Sequence, residues 1–275
     1  MSSDTLTKLY YPLTSVPFEK SKAYTEIVPC DALKPYVRCL WGSTENCSQR
    51  SSRLIIPDTC MDVIFNLDYS KNTQSSLFCT VDEHSYFSSN KIKHDAVYST
   101  FAIRFYSWSA VLFSDRYFVN TKNKTFATDE FFCGLRREME PMLMSVSSLS
   151  ERCRLAEKYL LKRLNVFKQN NDFMNAVYDI IHSNATIGIR ELAHHNAISQ
   201  RQLERIFNSN MGISPKAFSS LVRYQLVWQE LCLNKNADIL DLTEKYGYAD
   251  QSHLQNEFKK FHLMTSREGL AYAKL

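Results

Sequence analysis

Apolar residues recur at helical spacing in the C-terminal part of the chain, and they do so twice in the same arrangement. In the first copy an apolar stretch begins at Ile189, and Leu203, Ile206 and Phe207 follow at i, i+3 and i+4 behind Ser199. A Ser immediately before an apolar-periodic run is a helix-capping signal. The pattern predicts a short helix, a tight turn, and a second helix that begins after Ser199.

The second copy repeats this order about fifty residues later. Ile239 opens a short apolar-periodic stretch, Gly247 supplies the turn, and Asp250 caps a helix that buries Leu254 and Phe258 at i and i+4. Two helices joined by a tight turn are the helix-turn-helix plan, whose second helix enters the major groove of DNA. The sequence therefore predicts two such units.

A long helix is expected between the two units. Gly212 ends the preceding helix, Ser214 caps the next one, and Pro215 takes its first position, where proline fits best. This helix runs to about Leu233. A further helix from Asp172 to about Ser183 precedes the first unit.

The outward faces of the two second helices carry polar side chains, as a recognition helix requires. Lysines one turn further on are placed for DNA phosphates. The candidate DNA-binding residues are Gln200, Arg201, Glu204, Arg205, Ser252, His253, Asn256, Lys259 and Lys260.

The N-terminal half instead shows short β-type runs. Examples are 53–56, 61–65 and 101–106, which are rich in apolar and β-branched residues and separated by polar, turn-rich pieces. Several short strands at close spacing predict an antiparallel sandwich or barrel over residues 1–127. A barrel of this kind can hold one small ligand in its mouth.

One strand in this half carries an acid. On the strand after Pro57, Met61, Val63 and Phe65 share one face, while Asp62 lies on the other. Asp62 is either a ligand contact or an acid that hydrogen-bonds a turn or pairs with a base such as Arg104. Trp41 is either a core residue or a pocket wall. The candidate effector-binding residues are Trp41, Cys60, Asp62 and Arg104.

Helical periodicity returns at Thr128. A helix start is predicted there, and a second helix is predicted from Ser148 or Ser150 through Phe167. These helices either pack on their own barrel or associate with a second protomer. We expect five basic residues to form their solvated side: Arg152, Arg154, Lys158, Lys162 and Arg163. The domain boundaries are therefore 1–127 (sensor), 128–169 (dimerisation or linker) and 170–275 (DNA binding).

Composition is that of a soluble protein. The chain has 275 residues, 44% of them hydrophobic and 23% charged. No apolar run reaches the roughly 20 residues that span a bilayer, and residues 1–8 have no apolar core of a signal peptide, so we expect a cytoplasmic protein without membrane contact. Its eight cysteines show no metal or disulfide spacing, which predicts no metal and no cofactor. A thiol sensor, with Cys60 among its candidates, stays open as a variant.

Charge does not by itself indicate DNA binding. The net charge is +4, but residues 170–275 hold 11 basic and 11 acidic residues. Any basic surface for DNA must therefore be local. The sequence has no nucleophile–His–acid order, phosphate loop or HExxH motif, so we expect no enzyme.

The C-terminal pattern resembles the DNA-binding domain of AraC-type regulators. The resemblance rests on Ser199–Phe207, Gly212–Phe218 and Gly247–Phe258, and a weaker similarity of 56–65 and 103–106 points to one kind of sensor domain found ahead of that module. The family implies a cupin-like or barrel sensor, often a dimer, and two recognition helices in successive major-groove segments. This chain departs from the family at Leu263 and Ser266, where Gly and Pro are common, and at Asn256 and Thr243.

The predicted fold is thus α+β, with an antiparallel β-barrel or cupin-like domain and flanking helices ahead of an all-α domain. The predicted function is that of a bacterial, sequence-specific transcription regulator controlled by a small-molecule effector. Its expected partners are double-stranded DNA, an effector of unknown identity, a second copy of the chain, and RNA polymerase. The alternative is an interaction or effector-binding module whose helical half does not bind DNA; steep salt dependence of DNA binding would distinguish the two.

Overall fold

The computed structural model of the chain describes residues 3–17, 24–46, 53–88 and 97–274, and over these ranges it is an α+β protein. The strands come first and nearly all helices follow, as predicted. The strands are β1 (Tyr24–Ile27), β2 (Val37–Asn46), β3 (Arg53–Ile55), β4 (Cys60–Asp68), β5 (Thr73–Cys79), β6 (Tyr86–Ser88), β7 (Val97–Tyr106) and β8 (Thr125–Ala127). The helices are α1 (Ser3–Leu9), α2 (Leu135–Ser145), α3 (Leu149–Arg163), α4 (Asn171–His182), α5 (Ile189–His195), α6 (Gln200–Met211), α7 (Pro215–Leu233), α8 (Ile239–Lys245), α9 (Gln251–His262) and α10 (Ser266–Tyr272).

The N-terminal domain is built on one antiparallel sheet of six strands in the order β1-β2-β7-β4-β5-β8. A separate ribbon pairs β3 with β6. Over the described strands β1 and β8 are the two edges of the large sheet, so the predicted barrel is an open, cupin-like sheet. The two short strands at its edges, of four and three residues, leave little unpaired backbone for closure.

Alternation along β4 separates core from cavity. Met61, Val63 and Phe65 are fully buried, whereas Asp62 and Ile64 point to the other face and are half-buried. Register places Asp62 opposite Arg104 of β7. The two faces of this strand are as the sequence predicts.

The helices after Thr128 differ from the prediction in where they begin. Residues 128–130 form only a 3₁₀ turn, and α2 begins at Leu135 behind Gly134, whose φ is +77°. A left-handed residue interrupts a helix, so the capping signal at Thr128 opens one turn and no more. Ser148 precedes α3, which ends at Arg163 rather than Phe167.

Arg152 corrects the expectation of a solvated basic side on α3. It is only 3% exposed, and its guanidinium donates to Ser99 Oγ at 2.7 Å, to the Val146 carbonyl, and to the hydroxyl of Tyr69. A buried guanidinium is tolerated because its donors are satisfied. Arg152 therefore holds α3 against the sheet through Ser99 of β7 and Tyr69, which follows β4.

The helices of the C-terminal domain begin and end close to the residues that the sequence predicts. Asn170 caps α4 by accepting from the Phe173 N–H at 2.9 Å, and Ser214 caps α7 with Pro215 at its first position. Gly212 ends α6 with φ +77°. These caps satisfy backbone groups that a helix terminus leaves unpaired, which is why the sequence signals locate the helix ends well.

The two halves share one buried core. Trp108 of the N-terminal domain meets Phe218 of α7 edge-on at 6.5 Å, and the Phe118 N–H donates to the Ser209 carbonyl at 2.8 Å. A Cβ at Gly212 would lie 2.8 Å from the Phe118 carbonyl oxygen, so the two backbones touch at this glycine. Helix α1, which the sequence does not predict, buries Leu6 and contacts α4.

Among the described helices, none combines the length and the apolar character needed to cross a membrane. Within the same residues, no group of three or more His, Cys, Asp or Glu side chains is arranged to hold a metal ion.

Candidate DNA interface and ligand cavity

The first helix-turn-helix unit consists of α5, a turn, and α6. The turn passes through Ala197 at φ +53°, and Ser199 caps α6 by accepting from the Gln202 N–H at 3.1 Å. Leu203 and Phe207 are fully buried. The opposite face of α6 begins at its N-terminus and carries four exposed candidates: Gln200, Arg201, Glu204 and Arg205.

The second unit is α8, a turn through Gly247, and α9. Gly247 has φ +65°, and Asp250 caps α9 by accepting from the His253 N–H at 2.7 Å. Leu254 and Phe258 are buried. Five exposed candidates share the opposite face of α9: Ser252, His253, Asn256, Lys259 and Lys260.

The ring of His253 has a defined orientation. Its Nδ1 lies 3.3 Å from the Ala249 N–H, which donates to it, and the ring meets Tyr248 edge-on at 5.3 Å. When Nδ1 accepts, the neutral ring carries its proton on Nε2. Nε2 is thus a hydrogen-bond donor at the exposed start of α9.

Helix α7 holds the second unit through an ion pair. Arg223 donates to both carboxylate oxygens of Glu257 on α9, with Nη2–Oε2 at 2.8 Å and Nε–Oε1 at 3.1 Å. Tyr248 donates to the same carboxylate and lies under the Arg223 guanidinium, 4.5 Å away. A two-pronged pair of this kind fixes orientation as well as distance, so α7 is a rigid spacer between the recognition helices.

A loop of the N-terminal domain lies next to α6. Asn120 donates its N–H to Asn208 Oδ1 at 3.0 Å, and Lys122 lines one cleft together with Arg201 and Arg205. The N-terminal domain thus adds a cation beside the first recognition helix.

The open side of the sheet bounds a cavity of about 610 Å³. This volume is in the range of small-molecule sites. All four candidate effector-binding residues line it: Trp41, Cys60, Asp62 and Arg104. The structure therefore brings together residues from β2, β4 and β7 that are far apart in the sequence.

Arg104 is the centre of the charged wall. Its Nε and Nη2 donate to Asp62 at 3.0 and 3.1 Å, and its Nη1 lies 3.2 Å from Asp58 Oδ2. Trp41 Nε1 also donates to Asp62, at 3.1 Å. The predicted pairing of Asp62 with a base is confirmed at Arg104, and Asp62 also lines the cavity, so a ligand contact stays a prediction. Burial raises the pKa of Asp58, and the charge of Asp62 adds to this rise while Arg104 opposes it.

A second ion pair joins the edge strand β1 to its neighbour β2. Arg38 Nη1 is 3.3 Å from Glu26 Oε2, and its guanidinium lies over the ring of Tyr11 at 3.5 Å. Tyr24 donates its hydroxyl to Glu26 at 2.8 Å and its ring packs on Trp41 at 5.5 Å. The cavity wall here combines aromatic faces with a neutralised carboxylate.

Cys60 contributes a thiol rather than a thiolate to this wall. It is buried, and burial raises the pKa of its thiol well above the ordinary value. A thiol held protonated is a poor nucleophile, which argues against the thiol-sensor variant at this position. Cys47 lies outside the described residues.

The structure adds cavity residues that the sequence did not single out. Local spacing places Asp58 only in a turn and gives no signal at Glu26, Arg38, Tyr24 or Asp82, all of which line the cavity. Pairing between strands determines which side chains share a cavity, and the local spacing of residues does not predict that pairing. The Pro57–Asp58 turn beside an acid-bearing strand was the one available signal.

Asp82, on the loop after β5, differs from the other carboxylates. Burial together with the charges of Asp58 and Asp62 raises the pKa of Asp82 to about 6. Burial is the larger cause of this rise, and the two neighbouring carboxylates of the same cavity add to it.

Two known protein families match separate stretches of the chain. Residues 192–269 match the family described as a helix-turn-helix domain. Residues 25–127 match a second family, described as a domain of unknown function (DUF6597). A comparison with curated proteins finds no significant match.

Among solved structures, an AraC-type transcriptional regulator from Chromobacterium violaceum shares 21% identity over 37% of this chain and 91% of its own, with a TM-score of 0.35. A probable AraC family regulator from Rhodopseudomonas palustris shares 21% identity over 38% and 98%, with a TM-score of 0.32. ToxT from Vibrio cholerae O395 shares 12% identity over 85% and 98%, with a TM-score of 0.41.

Two capped recognition helices, a rigid spacer and the family match over 192–269 agree. Residues 192–269 are a helix-turn-helix domain, and two such units joined by one long helix are the arrangement of a DNA-binding transcription regulator.

Proposed function

We propose that the nine exposed candidates on α6 and α9 bind the operator, and that a small molecule in the 610 Å³ cavity controls this binding. The observation that carries the first half is the shared geometry of the two units. Each recognition helix is capped at its N-terminus, buries its apolar face, and presents polar side chains from its first turn onward. That is the part of a recognition helix that meets base edges.

The chemistry of these side chains suggests distinct roles. Arg201 and Arg205 have the fork that pairs with the O6 and N7 of guanine, and Gln200 and Asn256 suit adenine. Lys259 and Lys260 lie a turn or more from the helix start, where they reach phosphates. Phosphate contacts set affinity and base contacts set specificity.

The first test is DNA binding by the full chain and by Arg201→Ala at several salt concentrations, with fragments taken upstream of its own and neighbouring genes. We expect binding to weaken steeply with salt and Arg201→Ala to lose about tenfold or more in affinity, since a bidentate base contact contributes about 1–3 kcal/mol. Arg137→Ala, an exposed arginine on α2, is the control and should bind as the wild type does. Equal affinity of all three proteins would refute the role of α6.

Control by a ligand requires a path from the cavity to the DNA-binding domain, and the segment after α1 provides one. Leu13 and Thr14 line the cavity, and so does Pro57. Gln225 of α7 is fully buried and forms hydrogen bonds with Leu13 and Pro57. It accepts from the Leu13 N–H at 2.8 Å and donates to the carbonyls of Leu13 and Pro57 at 3.1 and 2.7 Å. Trp228 Nε1 donates to the Thr14 carbonyl at 2.9 Å.

The same residues that wall the cavity thus hold the spacer helix. A ligand that moves this wall shifts the position of α7 and, with it, the position of the two recognition helices relative to the N-terminal domain. Differential contact with two arrangements is what a controlling ligand needs.

A cavity-filling substitution tests this control without the natural ligand. Ile64→Trp adds an indole to the cavity face of β4, and we expect it to change DNA affinity by about threefold or more, as a ligand worth roughly 0.7 kcal/mol of coupling would. Val28→Trp places the same ring at an exposed position outside the cavity and is the control. Unchanged affinity in Ile64→Trp, with the fold retained, would show that the cavity is not coupled to DNA binding.

Self-association and a contact with RNA polymerase belong to the same proposal. Leu161 and Phe167, at and beyond the end of α3, are 47% and 97% exposed, and exposed apolar side chains of this size are typical of protein contacts. Molar mass in solution, for the wild type and for Phe167→Ser, tests the dimer. Binding to chromosomal DNA would place the protein in the cytoplasm.

A further inference from the structure

We propose that the cavity takes a small organic amine, bound as its ammonium ion, whose charge is held by Asp82 and whose apolar body lies against the aromatic wall. The inference rests on the proposed function, because it names the ligand class of the same cavity. It depends on three features: the balance of charge in the wall, the position of Asp82, and the aromatic side chains beside it.

Charge in the wall is not balanced. The described residues that line the cavity include four carboxylates and three guanidiniums: Glu26, Asp58, Asp62, Asp82, Arg38, Arg53 and Arg104. Glu26 is neutralised by Arg38, and Asp58 and Asp62 share Arg104. Arg53 lies over the ring of Tyr24, 5.9 Å from its centroid.

Asp82 is the carboxylate left without a counter-ion. Within the described part of the chain, no hydrogen bond or ion pair involves its side chain, and it lines the same cavity as Asp58 and Asp62, whose charges add to the rise that burial causes in its pKa. A half-buried carboxylate that shares a cavity with two others is unfavourable without a counter-ion. A cation placed among them relieves that repulsion, so the free energy stored at Asp82 becomes binding free energy.

The surrounding side chains suit an ammonium ion on an apolar body. Tyr86 lines the cavity with Asp82, and burial, with the charge of Asp82 adding to it, raises the pKa of Tyr86 to about 12. Tyr24 and Trp41 pack on each other along the same cavity. Aromatic faces attract organic cations. Ile64, Leu77 and Pro57 supply apolar surface for the remainder of the ligand.

An anionic ligand is disfavoured by the same geometry. Arg104 is already engaged by Asp62 and Asp58, and Arg38 by Glu26. A carboxylate ligand would have to compete with these acids for Arg104 or Arg38 and would meet Asp82 as well. Like charges in a partly buried site repel strongly.

Three small molecules of similar shape and different charge test whether the cavity prefers a cation. We would titrate 2-phenylethylamine, 2-phenylethanol and phenylacetate into the full-length protein by calorimetry. We expect the amine to bind at least about tenfold more tightly than the other two, since only the amine pairs with a half-buried charge. Asp82→Asn, which keeps the shape and removes the charge, should lose this preference. Glu83→Gln removes the neighbouring acid, which pairs with Lys122 at 2.8 Å outside the cavity, and should keep it.

The remaining variants locate the site and separate the two proposals. Ile64→Trp should abolish amine binding, since the indole fills the cavity. Tighter binding of phenylacetate, an unchanged amine affinity in Asp82→Asn, or no binding of any probe at millimolar concentration would overturn the amine inference. In each of these cases, the effect of Ile64→Trp on DNA affinity still tests separately whether the cavity controls DNA binding.

Discussion

Leu263 ends α9 in a backbone conformation that favours glycine. Its φ is +59°, and its side chain is 51% exposed. A residue with a Cβ in this left-handed region costs about 1–2 kcal/mol. This is the position where the sequence departs from the family's glycine, so the departure is accommodated as strain rather than as a different turn.

Replacing Leu263 by Gly should therefore stabilise the protein. We expect the free energy of unfolding to rise by about 1 kcal/mol, since relief of strain exceeds the added freedom of glycine in the unfolded chain. Denaturant titration measures the change. Leu263→Ala, which removes the side chain but keeps the strain, should give no gain; an equal gain in both variants would mean that the leucine side chain, not the backbone, is unfavourable.

His262 links stability to pH. The side chain is fully buried, its Nδ1 lies 2.7 Å from the Tyr224 hydroxyl, and burial lowers its pKa to about 4. Between pH 6.5 and 4 the unfolded chain takes up a proton that the folded protein refuses, so stability falls as pH falls through this window. The loss at pH 4 is about 3 kcal/mol for a shift of this size.

His262→Gln should flatten this part of the stability profile, because glutamine still meets the tyrosine hydroxyl but does not titrate. Chemical denaturation at a series of pH values provides the measurement. His194→Gln, at an exposed histidine, should leave the profile as in the wild type. A wild-type profile that is flat between pH 6.5 and 4 would contradict the assignment.

At the scale of single residues, the sequence predicted side-chain direction better than side-chain partners. Alternation along β4 placed Asp62 on the cavity face, because that alternation is a property of the strand itself. Arg152 was expected in solvent and is buried, because its partners Ser99 and Tyr69 come from the sheet. Asp82 was missed for the same reason, since its two acidic neighbours reach it through the fold.

At the scale of elements, the helices of the C-terminal domain were predictable nearly to the residue. Ser199, Ser214 and Asp250 each accept a hydrogen bond from a backbone N–H in the first turn. These signals are local and depend on nothing else in the chain. Thr128 has a similar signal but begins only a 3₁₀ turn, because the left-handed backbone of Gly134 separates this turn from α2.

Two further elements could not be found from local pattern. Helix α1 has only seven residues, and isolated helices of that length are unstable, so it depends on burial of Leu6. The sheet was predicted as a barrel, but strand order and the short edge strands that leave it open are decided by pairing over long distances.

At the scale of the whole molecule, the two domains are coupled through Gln225. One amide satisfies three backbone groups of the N-terminal domain, two on Leu13 and one on Pro57. Gln225→Leu leaves these buried groups unpaired, and we expect a loss of about 3 kcal/mol in the free energy of unfolding, at roughly 1 kcal/mol or more for each group. Gln229→Leu, one turn further along α7, is the matched control, because the buried Gln229 Nε2 has no partner among the described residues and its removal should cost little.

The same pair of variants tests whether Gln225 transmits the state of the cavity. If the wall reaches DNA through this amide, Ile64→Trp should change DNA affinity in the wild-type and Gln229→Leu backgrounds and should have little effect in Gln225→Leu. Residues in one hydrogen-bonded network show such non-additivity, whereas independent sites add. If Ile64→Trp has its full effect in the Gln225→Leu background, the coupling passes through other contacts between the two domains. The hydrogen bond between Trp228 and Thr14 is one of these contacts.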